Sequence, residues 1–350
     1  MQVHLSGRLR EEAASLPYLT SFVPSFLVLA GNLLGGWYAA GNVVFSMVIL
    51  VVADWLLPAD TSPARKEDTR LPDVVLLLGV VLHTLCLASL LYGVYSGRVA
   101  GPFTWLAAVS TGINAGAIGI VVAHELVHRK QQWLQNLGIW NLFLAGNPHF
   151  YTEHRLGHHF RVGTWDDPAT ARYNESYYRF VFRTVPGQWL SALEIEAKRL
   201  RKQNRSPYSL RNFVVRATAL QIGAVVGLFL TLGPAVGSAY LVQAAVAMLL
   251  LEFVNYIEHY GLVRAKGEKV GAHHAWQSDR ISSRFTLFEL SRHSDHHLKA
   301  YKPFHTLDSH DSPFFLPSGY FGMYYVALIP PLWFRLMNPI IEKHQGHAVQ

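Results

Sequence analysis

The stretch FTWLAAVSTGINAGAIGIVVAHELVHRK, residues 103–130, decides how this chain is read. Its first part, Phe103 to Ala123, carries no charge and is long enough to cross a bilayer, which takes roughly 17–25 residues. It then runs, without a turn signal, into His124-Glu-Leu-Val-His128. Read as one continuous helix, the stretch carries two imidazoles just past the membrane boundary, one turn apart and on one face. A spanning helix that ends in paired histidines predicts a metal-binding site at a membrane surface.

Five further apolar runs fit the same description. Ser21 to Ala39 and Val43 to Leu57 form a pair turning near Gly41-Asn42, and Val74 to Tyr95 pairs with Phe103 to Ala123 across Ser96–Gly101. Phe213 to Leu232 and Ala235 to Val254 form a third pair, broken at Gly233-Pro234. The composition agrees: 51% of residues are hydrophobic, 15% are charged and the mean hydropathy is +0.18, whereas soluble domains carry about 25% charged residues. The reading is an all-α integral membrane protein, a six-transmembrane-helix bundle forming one domain over residues 1–350. The segment Trp165 to Asn212 mixes charges with Tyr177, Tyr178, Phe180, Phe182, Trp189 and Leu190, which predicts amphipathic helices lying along the interface. Tyr320 to Met337 is apolar but contains Pro330-Pro331, and is read as interfacial rather than as a seventh span.

Charge orients the bundle. Six spans put both termini on one side with the segments after the second and fourth spans. Those regions hold Arg65, Lys66, Lys198, Arg199, Arg201, Lys202, Arg205, Lys266 and Lys269, against Arg98 alone in the opposite turns. The positive-inside rule then makes the termini and the histidine clusters cytoplasmic, in a bacterial-type inner membrane. The net charge of +7 is accounted for by this asymmetry, and it also offers a surface to an acidic soluble partner. No recognised nucleic-acid module accompanies it. The start, with Arg8, Arg10, Glu11 and Glu12 before a long apolar run, does not read as a secretory signal.

Nine histidines gather in four clusters: His124 and His128; His154, His158 and His159; His259; and His293, His296 and His297. One metal ion takes roughly four to six ligands, so nine imidazoles imply two. The spacing of His154 to His158 and of His293 to His297 is i,i+4, so helical segments would bring all four clusters together beneath the bundle. The HExxH pattern alone would also fit a zinc protease with Glu125 as general base, but that needs a single metal and leaves most of the clustered histidines without a role. His4, His149, His344 and His347 read as ordinary surface or hydrogen-bonded residues, whereas His273, His274, His305 and His310 flank the fourth cluster. Imidazole does not choose among zinc, copper, iron and nickel. Chemistry at a membrane boundary on a lipophilic substrate favours a redox-active pair, and zinc cannot change oxidation state. Glu125, Glu153, Glu258 and Asp295 stand next to histidines and are expected to accept the free imidazole N–H and fix the rings; direct ligation by Glu258 or Glu125 is the competing role. Cys86, the one cysteine, excludes an iron–sulfur centre, which needs about four ligands. With no dinucleotide fingerprint and no haem motif, electrons must come from another protein.

Three of the clusters and their flanks closely resemble the membrane alkane 1-monooxygenases, relatives of the membrane fatty acid desaturases and xylene monooxygenases. The stretches that carry the resemblance are Asn255-Tyr-Ile-Glu-His-Tyr-Gly-Leu262, Arg292-His-Ser-Asp-His-His297, and Glu153-His-Arg-Leu-Gly-His-His159 followed by Asp167-Pro-Ala-Thr-Ala-Arg172. Leu316 to Met323 and Ala327 to Arg335 resemble the family's C-terminal segment, so the likeness runs from the fourth span nearly to the end. The tyrosine-bearing third motif is the most specific of these.

The resemblance implies a cytoplasmic di-iron centre held by the nine clustered histidines. It also implies hydroxylation of a terminal methyl group with O2 and two electrons from rubredoxin or a ferredoxin, supplied in turn by an NAD(P)H-dependent reductase. Arg129 after the first motif and Leu298-Lys-Ala-Tyr-Lys-Pro303 after the last depart from the alkane pattern and look closer to methyl-aromatic hydroxylases of the xylene or cymene type. A fatty acid desaturase and a non-catalytic, metal-responsive membrane protein would use the same scaffold, and both compete with the hydroxylase reading. Substrate is expected to enter between helices, with Trp37 and Trp55 as candidate caps on its channel and the aromatic belt as their competing explanation. His83, near mid-membrane, is a candidate to line the cavity or to bond a neighbouring helix, and Glu252, seven residues before His259, is a candidate to support a ligand histidine, to line the cavity or to pack within the bundle.

Overall fold

The computed structural model describes residues 16–63, 71–265 and 267–345. Arg65, Lys66 and Lys266, the segment up to Ser15, and His4 and His347 lie outside the described residues. Among the described residues there is no strand, only two isolated bridges, Ala59 to Arg280 and Gln277 to Phe315.

Among the described residues six helices are long and apolar enough to span a membrane: Leu16–Leu34, Gly36–Leu56, Leu71–Tyr95, Pro102–Val127, Phe213–Thr231 and Pro234–His259. The first hairpin turns at Gly35-Gly36 and not near Gly41-Asn42. Gly35 has φ +73°, and a Cβ there would lie 2.3 Å from the Arg98 carbonyl oxygen, so only glycine permits this packing of the first turn against the second. Asn42 instead lies inside the second span, where its amide donates to the Ser110 carbonyl at 2.7 Å.

The fourth span is the central one, with 83% of its apolar window buried. Gly112 and Gly116 let the sixth span approach closely: a Cβ at either position would come within 2.8 Å of Val246 or Leu250. Small residues at helix contacts are the expected route to tight packing where lipid removes the hydrophobic drive. Both this helix and the second span contain a π-helical turn, at Ala115–Ile120 and Phe45–Ile49.

The chain between the fourth and fifth spans forms Gln132–Leu144, a short helical segment over 150–161, and the 26-residue Tyr177–Lys202. The last of these is amphipathic as the sequence predicts, and Pro186 lies inside it. After the sixth span the chain wraps the histidine end of the bundle and finishes in Pro330–Gln345, which opens at Pro330-Pro331, where proline is compatible with a helix start. Two buried charges lock this wrap. Asp54 accepts from the Ser283 hydroxyl at 2.7 Å and the Gly322 N–H at 3.0 Å, tying it to the second span. Arg292 pairs with Asp279 at 3.1 Å and donates to the carbonyls of Leu307 and Ser62, both at 2.7 Å. Cys86 is buried against the Ser25 carbonyl.

Candidate metal centre

Beneath the bundle the nine imidazoles divide into two groups. His124, His128, His154, His159 and His296 offer ring nitrogens that all lie within 4.8 Å of one another, and His158, His259, His293 and His297 do the same. In the first group the Nε2 atoms of His124 and His296 are 3.0 Å apart, and His159 Nε2 lies 3.0 Å from His154 and 3.2 Å from both His128 and His296. In the second, His293 Nε2 lies 2.9 Å from His297 and 3.3 Å from His259.

Local backbone decides the division. In a regular helix His154 and His158 would share a face, as His293 and His297 do. His154–His158 is instead a π-helical turn, whose i→i+5 bonds carry more residues per turn. His159 therefore returns to the face of His154, and His158 is turned to the other group.

The chemistry of this donor set fits cations. A neutral imidazole has one N–H and one lone pair, so several Nε2 atoms packed against each other cannot all be satisfied among themselves. Protonation is not the remedy: burial first, and then the neighbouring imidazoles, hold His128, His154, His159, His293, His296 and His297 well below the usual histidine range. Buried, neutral and convergent imidazoles are what transition-metal sites use. Glu268, His273 and His274 form a smaller, mostly exposed group. There the Gly271 N–H donates to His274 Nδ1, so Nε2 keeps the proton and faces Glu268 as a donor.

The carboxylates expected beside the histidines go elsewhere, with one exception. Glu125 pairs with Arg129 at 3.0 Å, and Glu153 pairs with Arg161 at 2.6 Å. Asp295 accepts from Lys302, from His310 Nε2 at 2.8 Å and from the Asp308 N–H. Consecutive residues on a helix do not face each other, so a carboxylate adjacent in sequence cannot reach its neighbour's ring. Glu258 is the exception, but it meets His293 rather than His259. Its Oε2 lies 3.2 Å from His293 Nε2, on the side facing the other histidines, while Oε1 accepts from the Tyr320 hydroxyl at 2.7 Å. Burial, and then Glu258 itself, push the Tyr320 hydroxyl far up, which keeps it a donor.

The carboxylate that takes the ring-fixing position is Asp167, whose Oδ2 lies 2.9 Å from His158 Nδ1. Burial works against its charge, but His158 and the Thr170 hydroxyl outweigh it and hold Asp167 below the usual carboxylate range. Its place in the Asp167-Pro-Ala-Thr-Ala-Arg172 stretch was the available signal; nothing in its spacing from His158 marks it.

Among the described residues, three apolar cavities run in series away from the histidines. The innermost is lined by His124, His154, His158, His293, Glu258 and Asn255 together with Gly116, Val121, Val254 and Leu290. Those last four residues also line the next cavity, which continues past Phe253 and Phe321 to Met47, Ile113, Leu250 and Tyr324. These in turn line the outermost, with Val43, Val109, Val246 and Tyr325. None of Trp37, Trp55, His83 and Glu252 lines these cavities. Trp37 is 78% exposed on the bundle surface, and Trp55 donates to the Gly322 carbonyl. His83 is buried against Gly119 of the fourth span, and Glu252 accepts from Gln188 and Asn255.

The fatty acid desaturase family model matches residues 100–326. Alkane 1-monooxygenase 1 of Pseudomonas aeruginosa is 37% identical over 320 residues, covering 86% of this chain and 83% of that protein. Alkane 1-monooxygenase of Acinetobacter baylyi is 30% identical over 347 residues, 93% of this chain and 85% of its own length. The hydroxylase component of the xylene/toluene monooxygenase of Pseudomonas putida is 32% identical over 322 residues, 88% and 84% of the two chains.

Proposed function

Because the chain belongs to the fatty acid desaturase family and, within it, to the alkane 1-monooxygenases, we propose that it hydroxylates the terminal methyl group of an alkane or alkyl chain at a di-iron centre. It is a multi-pass membrane monooxygenase of the desaturase-like superfamily, with histidine clusters suited to metal. The balanced reaction is R–CH3 + O2 + two electrons + two protons giving R–CH2OH and water. Bound iron would supply O2 activation and the oxidation of an unactivated C–H bond.

The observation that carries the reading is the run of apolar cavities ending against both histidine groups. Its walls are largely Val, Leu, Ile, Phe and Gly, so an alkyl chain lying in it is shielded from water and has one end beside the metals. This chain's residues would hold the metals and orient the substrate. His124, His128, His154, His159 and His296 would hold one ion, and His158, His259, His293 and His297 the other. Asp167 would take the Nδ1–H of His158 and so leave its Nε2 lone pair toward the metal. Glu258, held by Tyr320, has one carboxylate oxygen toward His293, in reach of a ligand position on the second ion.

With no redox group of its own in the sequence, the protein would take electrons from rubredoxin or a ferredoxin and its NAD(P)H-dependent reductase. The placement of Lys and Arg on the histidine side supports a cytoplasmic centre in the inner membrane. Membranes containing the protein, reduced iron, rubredoxin and its reductase would be given n-alkanes together with p-xylene and p-cymene. Primary alkanols are the expected products. A benzylic alcohol alone would move the chain to the methyl-aromatic branch, which the xylene-type relative and the departures at Arg129 and Leu298 favour as the second reading. Alkenes would make it a desaturase.

A further inference from the structure

The exposed apolar side chains of the helix Tyr177–Lys202 fall on one stripe. Tyr178, Phe182, Pro186 and Leu190 follow one another at four-residue spacing, and Phe182 is 84% exposed. Past the stripe the chain turns basic: from Lys198 to Arg216 it carries five Arg and two Lys and no acidic residue. This stretch leads into the fifth span, Phe213–Thr231, whose apolar window is only 11% buried inside the protein, so the cations surround the end of a helix that faces lipid. Tyr208 and Leu210 stand among them, 55% and 65% exposed. The turn is firmly built. Asn212 caps the fifth span by accepting from the Val214 and Val215 N–H groups, and its amide donates to the Pro207 carbonyl at 2.9 Å. Arg199 pairs with Glu196 and Arg201 with Glu194, both at 2.7 Å. Lys202, Arg205 and Arg211 are exposed and, among the described residues, make no side-chain hydrogen bond or ion pair.

We propose that these three cations bind the headgroup of an anionic phospholipid, with its acyl chains lying against Leu210 and the exposed face of the fifth span. A phosphodiester carries one negative charge on accepting oxygens, which the guanidinium fork of an arginine matches. Basic clusters at the membrane end of a spanning helix bind such headgroups, and an amphipathic helix lies in the interface with its apolar face in the acyl boundary. A face turned only to water would account for the cations but not for the exposed stripe and Leu210. An acidic soluble protein would leave the same apolar residues unexplained. The surface also bears on the histidines. From the same helix, Ser191 accepts from Arg161 at 2.6 Å, and Arg161 pairs with Glu153, the residue before His154. Gln188 donates to Glu252 of the sixth span at 2.8 Å. A lipid that holds the basic end of this helix therefore steadies the support of the first histidine group.

The test uses the full-length, iron-loaded protein in a neutral detergent, titrated with phosphatidylglycerol or with phosphatidylcholine of the same acyl chains. Native mass spectrometry counts the bound lipid, and the thermal midpoint is followed in parallel. Phosphatidylglycerol should be retained and should raise the midpoint, while phosphatidylcholine should do neither. The triple variant Lys202→Gln, Arg205→Gln, Arg211→Gln should lose about ten- to hundredfold in phosphatidylglycerol affinity, the scale set by three cations at a membrane surface. The triple variant Lys269→Gln, Lys299→Gln, Lys343→Gln removes the same charge from exposed positions elsewhere and should bind as the wild type does. Equal retention of the two lipids by the wild type, or equal loss in both triple variants, overturns the proposal. So does a Lys202, Arg205 and Arg211 variant that keeps its lipid but needs more electron donor at low salt, which would assign the surface to the donor protein. None of the lipid readouts involves the substrate, so the alkane reading stands or falls separately.

Discussion

His154 meets His159, five residues on, at an Nε2 separation of 3.0 Å, while His158, only four residues on, faces the other histidine group. One π-helical turn thereby makes a single short helix a contributor to both sites, and binds the position of each to the other. The five-histidine group has one more donor than its companion, and this asymmetry has measurable consequences.

Removing one imidazole leaves four imidazoles in the first group but three, with the Glu258 carboxylate beside them, in the second. His296→Ala and His297→Ala should both abolish hydroxylation, yet His297→Ala should lose its metal at a markedly lower chelator concentration. Iron per protein after graded chelation measures this. Equal chelator sensitivity of the two variants would contradict the assignment of donors to groups.

Asp167 should matter beyond its distance from any ion. Asp167→Asn keeps the shape but removes the charge that fixes the His158 ring, and loss of such a partner typically costs about 10–100-fold in metal affinity or activity. The expected result is partial metal loss from the second group with the first retained. Unchanged metal affinity and turnover would show that the contact is structural only.

Acid should empty and destabilise the centre. Burial holds His154, His296 and His297 well below the unfolded value of about 6.5, so below that pH the unfolded chain binds protons the folded chain refuses. Stability therefore rises with pH in this range and falls as pH drops through about 6.5 toward the folded values. Metal ligation deepens the effect, because ligands must be deprotonated. Thermal midpoint and iron content followed from pH 8 to pH 5 should decline together; a flat midpoint across that interval would mean that these imidazoles do not stay neutral in the fold.

Asp279 balances Arg292 where both are almost fully buried, next to the fourth histidine cluster. Asp279→Ala removes the nearer of two buried carboxylates from Arg292 and leaves Glu289 at 3.6 Å, a change that costs at most roughly 3–5 kcal/mol. Asp308→Ala, whose carboxylate is about half exposed in its pair with Lys302, should cost at most about 1 kcal/mol. Denaturation midpoints in detergent compare the two, and a smaller loss for Asp279→Ala would mean that Glu289 with the Leu307 and Ser62 carbonyls suffices to hold Arg292.

Much of this was legible in the residues. Uncharged runs of spanning length mark six helices because the bilayer admits little else, and histidine clustering marks a metal site because no ordinary packing calls for it. The division of the nine was not legible, since i,i+4 spacing presumes an α-helix and nothing in His154-Arg-Leu-Gly-His158 announces a π turn. Sequence adjacency misled for Glu125, Glu153 and Asp295, which point away from the rings beside them. Asp167 and Tyr320 act across loops, at contacts set by the fold. The tryptophans suggested a channel by bulk alone, whereas the route is walled by Met47, Ile113 and Leu250, ordinary apolar residues in sequence.

The fourth span holds two of the nine clustered histidines and one wall of each of the three cavities described above, so its residue count fixes how far each wall residue stands from those histidines. Adding or deleting a residue between Ile113 and His124 would shift that distance by about 1.5 Å and rotate the wall by about 100°, spoiling the metal site before it altered the substrate. The room for a substrate is therefore set by side chains along this helix and on the helices facing it, and not by the helix's residue count.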